Sequence, residues 1–264
     1  MADVDALREA GVSGSPATPQ PDPLQPPSAA SGDGSVMSLV GHLGELRTRL
    51  FRSILAVAVG STVGFLVATP TRIFLQAPLG GLPLQVLGVG DAFVIQVKIA
   101  LVIGIILAMP VLLYQLWAFI APGLTAAERK TIRPWMPMAL VFFALGVAIA
   151  YVVLPFAISF LFSFTDGDTL QARPAAGQYF DFVTTMFLAF GLVLEFPIVL
   201  VGLSRVGIVT SDRLRGSRRI VILGISIFSA VITPGGDLVS PFVLGGTMYV
   251  LFELTTLFIR RSGR

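Results

Sequence analysis

The chain has 264 residues, of which 55% are hydrophobic and only 12% charged, with a net charge of +3 and a mean hydropathy of +0.86. A soluble domain carries about 25% charged residues because its water-facing surface must be covered, so most of this chain is satisfied only by lipid. With no cysteine and one histidine, disulfides, thiolate chemistry and Cys- or His-rich metal sites are excluded, and the basic residues sit between apolar runs rather than in the single patch a nucleic acid would need.

In chain order, Met1–Val36 is rich in Pro, Ser, Gly and Ala and lacks aromatics, a composition that reads as a disordered tail because it buries too little apolar surface to offset chain entropy. It has neither the basic start nor the early apolar run of a cleavable signal, so the first span is expected to act as an uncleaved anchor. Residues 37–261 form the expected membrane domain, and 262–264 a short cytoplasmic tail. A bilayer core of about 30 Å takes roughly 20 helical residues. Six stretches meet or approach that length: Leu50–Thr69, Asp91–Phe119, Trp135–Phe164, Phe180–Leu203, Ile220–Ile232 and Leu238–Ile259. The fold class expected is therefore an all-α polytopic membrane protein of six transmembrane helices. The fifth is short and the sixth has Pro241 near its start, so the last two read as a hairpin of short helices around the turn Thr233-Pro-Gly-Gly-Asp237. By length alone the fifth is also compatible with a re-entrant helix.

The basic residues give direction. Taking the connecting segments alternately, one side holds Arg8, Arg47, Arg49, Arg52, Arg129, Lys130, Arg133, Arg205, Arg213, Arg215, Arg218, Arg219, Arg260, Arg261 and Arg264. Those are fifteen of the eighteen Lys and Arg; the other side holds Arg72 and Arg173, and Lys98 lies inside the second span. Positive charge collects on the cytoplasmic side, so both termini are expected there.

Three kinds of ionisable residue stand out. Glu195 lies ten residues inside Arg205, about 15 Å deep at 1.5 Å per residue, and an ionisable group at that depth marks a functional site by default. The competing reading is a protonated Glu bonded to a neighbouring helix. Pro197 frees a backbone carbonyl nearby and favours a kinked, polar spot. Lys98 reads either as snorkelling to the outer interface or as facing the bundle interior. Glu45, in the amphipathic run ahead of the first span, has the spacing of an i,i+4 pair with Arg49, worth a few tenths of a kcal/mol. Thr125-Ala-Ala-Glu128 has the spacing of a capping box. Taken together, Glu45 and Glu128 put two carboxylates on the basic side, suited to charge-assisted hydrogen bonds with a basic peptide. No phosphate loop and no nucleophile–base set is present, so no enzyme is expected.

Several strings resemble one family. His42-Leu-Gly-Glu45-Leu-Arg47-Thr-Arg49-Leu50 looks like the amino-terminal signature of TatC, the core receptor of the twin-arginine protein translocase. The run from Pro110 through Trp117, Phe119, Pro122 and Leu124, followed by Glu128-Arg129, is similar to the end of that family's second span and first cytoplasmic loop. Phe190-Gly-Leu-Val-Leu-Glu195-Phe-Pro197 resembles its fourth span, Ala77-Pro78-Leu79 its cap-like first periplasmic loop, and Thr233-Pro234…Asp237 its last periplasmic turn, here one residue longer, which weakens a role for Asp237.

The resemblance implies a cup-shaped bundle in the bacterial cytoplasmic membrane, with no cofactor. It implies recognition of twin-arginine signal peptides on folded cargo, with Glu45 and Glu128 contacting the paired arginines and Arg47, Phe119, Pro122 and Leu124 around them. Glu195 would face the concave side, where TatA- and TatB-type single-span partners dock. Self-association and transport driven by the proton-motive force are also implied. Two other classes are weighed against this. A proton-coupled solute transporter would use Glu195 and Lys98 and would show paired interrupted helices in two related halves, which the sequence lacks. An assembly scaffold without recognition is hard to square with two carboxylates on the basic side.

Overall fold

In lipid no water is available to the backbone, so apolar runs of this length must satisfy every N–H and C=O within their own helix. The computed structural model describes residues 39–165, 173–205, 207, 216–233 and 237–261. The expected tail over 1–36, the turn residues Pro234–Gly236 and the tail 262–264 lie outside the described residues. Eight α-helices are described: α1 Leu39–Gln76, α2 Asp91–Ile120, α3 Ala126–Ile132, α4 Trp135–Phe162, α5 Ala176–Val193, α6 Phe196–Arg205, α7 Arg218–Ile232 and α8 Val239–Arg261. Five stretches are long and apolar enough to cross a bilayer: Gly41–Leu79, Asp91–Gly123, Trp135–Phe162, Ala176–Ser204 and Val239–Arg261.

The differences from the sequence reading have physical reasons. The amphipathic run before the first span is not separate: it continues into one 38-residue helix that also absorbs Pro70, since nothing between His42 and Arg52 breaks a helix. The fourth span divides into α5 and α6 around Leu194–Glu195, because Pro197 has no N–H to donate to residue 193. The last two helices are not a pair of equals. Helix α7 has 15 residues, rising about 22 Å, but α8 has 23 and is not short. Pro241 is its third residue, inside the first turn where N–H groups have no intrahelical acceptor in any case, so it costs α8 no length.

Helix α5 is the centre of the packing. Eleven of its eighteen residues are buried, whereas the most apolar stretch along α1 is 6% buried. It packs on α4 and α2, and α8 packs on α4, α6 and α7. Phe180, Met186 and Phe190 from α5 meet in one core with Leu154 of α4, Ile99 of α2 and Phe252 of α8. The α4–α5 contact is close because glycines face each other there: a Cβ on Gly146 would stand 2.3 Å from the Phe190 carbonyl oxygen. Steep approach at small residues is how helices gain dispersion contacts where lipid supplies no hydrophobic drive.

At the opposite end from Glu45, the connections are tied to α5. Gln85 donates its N–H to the Pro174 carbonyl (3.0 Å) and accepts from the Ala176 N–H (2.7 Å) in an isolated parallel bridge. The Tyr179 hydroxyl donates to the Leu75 carbonyl near the end of α1. Lys98 of α2 pairs with Asp181 of α5. Leu79, in the 3₁₀ turn Ala77–Leu79, is buried in the same region.

A backbone carbonyl cannot yield as a side chain does, so Gly146→Ala is expected to destabilise the α4–α5 contact by about 1–3 kcal/mol, as overpacking does. Gly177→Ala, where an added Cβ meets nothing within 4 Å, is the control. Detergent-solubilised thermal melts of the two variants check this, with the melting temperature falling only for the first.

Candidate functional site

The first turns of α1 run beside the last turns of α2, and two side-chain contacts join them. His42 stacks on Phe119 with ring centroids 4.4 Å apart. Arg49 donates from Nε (2.9 Å) and from a terminal nitrogen to the same oxygen of Glu45, Oε1. Its other terminal nitrogen reaches Gln115 Oε1 of α2 at 3.4 Å. The i,i+4 pair anticipated from spacing is therefore formed, yet it is not an ordinary surface pair. The Arg49 and Glu45 side chains are 20% and 17% exposed, and Gln115 is 8% exposed. The second carboxylate oxygen, Glu45 Oε2, is buried with no hydrogen-bond partner among the described residues. A half-satisfied buried carboxylate is costly, which sets Glu45 apart from an ordinary surface acid.

The remaining predicted residues surround this junction unequally. Arg47 is exposed; two residues from Glu45, it faces away from it on the helix. Pro122 is exposed in the 3₁₀ turn Ala121–Gly123, where it sits in the first turn. Leu124 is extended and buried at 8% exposure, so it packs beneath the turn rather than presenting itself. Thr125 and Glu128 make the capping box in full. The Glu128 N–H donates to Thr125 Oγ (3.4 Å), and Glu128 Oε2 accepts from the Thr125 N–H (2.9 Å) and hydroxyl (2.8 Å). Arg129 donates to the Ala121 carbonyl at 2.8 Å, tying α3 back to the end of α2. Both carboxylates are thus already engaged locally, Glu128 through its own turn and Glu45 through Arg49.

Glu195 occupies the break between α5 and α6. Its carbonyl accepts from the N–H groups of Ile198 (3.0 Å) and Val199 (3.2 Å), and its own N–H bonds the Leu192 carbonyl at 3.1 Å. Oε1 is buried with no partner among the described residues. The side chain lines an apolar groove of about 520 Å³ shared with Val199 of α6, Gly224 and Phe228 of α7, and Met248 of α8. Lys98 is not in this groove. It pairs with Asp181, fourteen residues before Glu195 and so about 20 Å away along the helix axis. Lys98 neither snorkels freely nor joins Glu195, and the proton relay that a transporter would build from the two is not assembled.

Sequence reasoning missed Gln115 and Asp181. Each is a polar residue inside an apolar span, which is the available signal; neither announces its partner, because Arg49 and Lys98 come from other positions in the chain. Removing the cap tests the local geometry of the α2–α3 turn. Thr125→Ala is expected to cost α3 about 1 kcal/mol, read as faster amide hydrogen exchange over Ala126–Arg129 with α1 and α2 unchanged.

The geometry can be set beside known proteins. A family model described as "Sec-independent protein translocase protein (TatC)" matches residues 41–246. The chain is 40% identical over 228 residues to the Sec-independent protein translocase protein TatC of Azotobacter chroococcum, covering 84% of this chain and 89% of that one. It is 35% identical over 229 residues to the TatC of Desulforapulum autotrophicum, covering 84% of each. A crystal structure of the twin-arginine translocase receptor TatC in DDM superposes with a TM-score of 0.74 at 32% identity, covering 83% of this chain and 99% of that chain. A chain matched by the family model over most of its length, with helices long and apolar enough for repeated membrane crossing and the fold of a solved receptor, belongs to the TatC family of Sec-independent protein translocase proteins.

Proposed function

We propose that the chain is the receptor subunit of a twin-arginine translocation system in a bacterial cytoplasmic membrane, binding the paired arginines of signal peptides on folded cargo at its cytoplasmic face. The chain is a translocase component, not an enzyme. The observation that carries the reading is Glu45: a mostly buried carboxylate beside the basic flank of α1 that already binds a guanidinium, that of Arg49. A planar guanidinium matches a carboxylate as no other side chain does. Glu128, at the start of α3, supplies the second carboxylate; Phe119, stacked on His42, and the exposed Pro122 lie between them along the chain, while Leu124 supports the turn from beneath and Arg47 adds charge on the far side of α1.

This reading takes six crossings with both termini cytoplasmic, α7 completing the set by thinning the bilayer locally. Arg218, the first residue of α7, bonds Glu253 near the end of α8 at 2.7 Å, which supports an antiparallel α7–α8 hairpin with its basic ends together. The groove at Glu195, apolar with one carboxyl, suits the single-span helices of TatA- and TatB-type partners, and the bundle would present it on a concave side. Self-association and energy from the proton-motive force complete the reading. The solute-transporter alternative loses support with the pairing of Lys98 to Asp181.

Glu45→Ala is expected to weaken peptide binding by about 2–5 kcal/mol, the usual loss when one partner of a buried charge pair is truncated, and Glu128→Ala, at a more exposed carboxylate, by less. Export of a folded twin-arginine reporter should then fall to background while membrane insertion of the variants stays normal. Full export by the double variant would overturn the proposal.

A further inference from the structure

We infer that Arg49 is a built-in surrogate for the signal-peptide arginine, and that by occupying Glu45 it determines which cations the site accepts. The inference rests on the receptor reading above and deepens it.

Glu45 Oε1 is covered by two donors from Arg49, and Oε2 is buried. A ligand that is to bond this carboxylate therefore has to take Oε1 over from Arg49. The exchange has a chemical selectivity of its own. A guanidinium that replaces a guanidinium restores the same planar fork, the same charge and the same weak hydration, so the swap is close to neutral. An ammonium that replaces a guanidinium gives up the fork and must shed a tighter hydration shell, so the swap runs uphill. An empty Glu45 would attract any cation through its charge; a Glu45 already neutralised by Arg49 rewards only a ligand that outcompetes it.

Arg49 is also held so that it can let go without leaving. Its remaining terminal nitrogen is 3.4 Å from Gln115 Oε1 on α2, an anchor independent of Glu45. Released from the carboxylate, the side chain keeps that partner, so displacement does not strand a part-buried cation without one. A simple structural pair has no need of this third group. The arrangement assigns Arg49 and Gln115 as specificity-determining residues, with Glu45 as the group competed for.

The test measures two fluorescent peptides that differ only in an Arg-Arg or Lys-Lys pair, binding to the full chain in nanodiscs by fluorescence anisotropy. The wild-type chain is expected to prefer Arg-Arg. Arg49→Gln is expected to bind Lys-Lys more tightly and to shrink the preference by about tenfold, and Gln115→Leu to shrink it in the same direction by less. An unchanged preference in Arg49→Gln with a wild-type melting temperature, or an equal loss of both peptides, would overturn the inference and leave the receptor reading intact. If Arg49→Gln does not fold, Gln115→Leu decides in the same sense: a reduced preference supports the inference and an unchanged one sinks it. A wild-type chain that binds both peptides equally would sink the receptor reading and this inference with it.

Discussion

Lipid offers the backbone no hydrogen bonds, and the architecture follows from the few places where that rule is relaxed. Long helices such as α1, α2 and α4 satisfy it by continuity, carrying Pro70, Pro110 and Pro155 within them. The fourth span is interrupted, and the interruption falls at Glu195. There Pro197 leaves the Val193 carbonyl without its usual donor, while the Glu195 carbonyl accepts from Ile198 and Val199, so α6 begins at once and the Glu195 carboxyl is left in the groove. A polar group and an apolar groove thus meet where a proline interrupts the span.

Polar side chains in the bundle answer to the same constraint. Lys98 and Asp181 neutralise each other across α2 and α5, and Arg49 joins Glu45 to Gln115 across α1 and α2. The two pairs differ in depth. Lys98 and Asp181 are each about half-exposed and join α2 to α5 at the same end as the Gln85–Ala175 bridge. The Glu45 network is more deeply placed and brings a carboxylate, a guanidinium and an amide together at one helix junction.

Helix α7 sets the other distinctive property. At 15 residues it is shorter than the bilayer core is thick, yet it packs along α8 and is joined to it through Arg218 and Glu253. A short helix beside longer ones is tolerated when a neighbour holds its ends, and it leaves Gly224 and Phe228 facing the Glu195 groove.

Much of this was legible along the chain. The bounds of α2 and α4, the Thr125–Glu128 capping box and the break at Pro197 follow from local rules of helix length, capping and proline chemistry, which depend only on neighbours in sequence. The family was legible in the strings around Glu45, Trp117 and Glu195. Tertiary structure decided the rest. Only packing shows that Gln115 meets Arg49, that Asp181 claims Lys98, that Leu124 is buried while Pro122 is not, and that α8 runs 23 residues despite Pro241. The physical reason is that a charge in a low-dielectric bundle is defined by its partner, and partners from distant segments leave no mark in the spacing of either one.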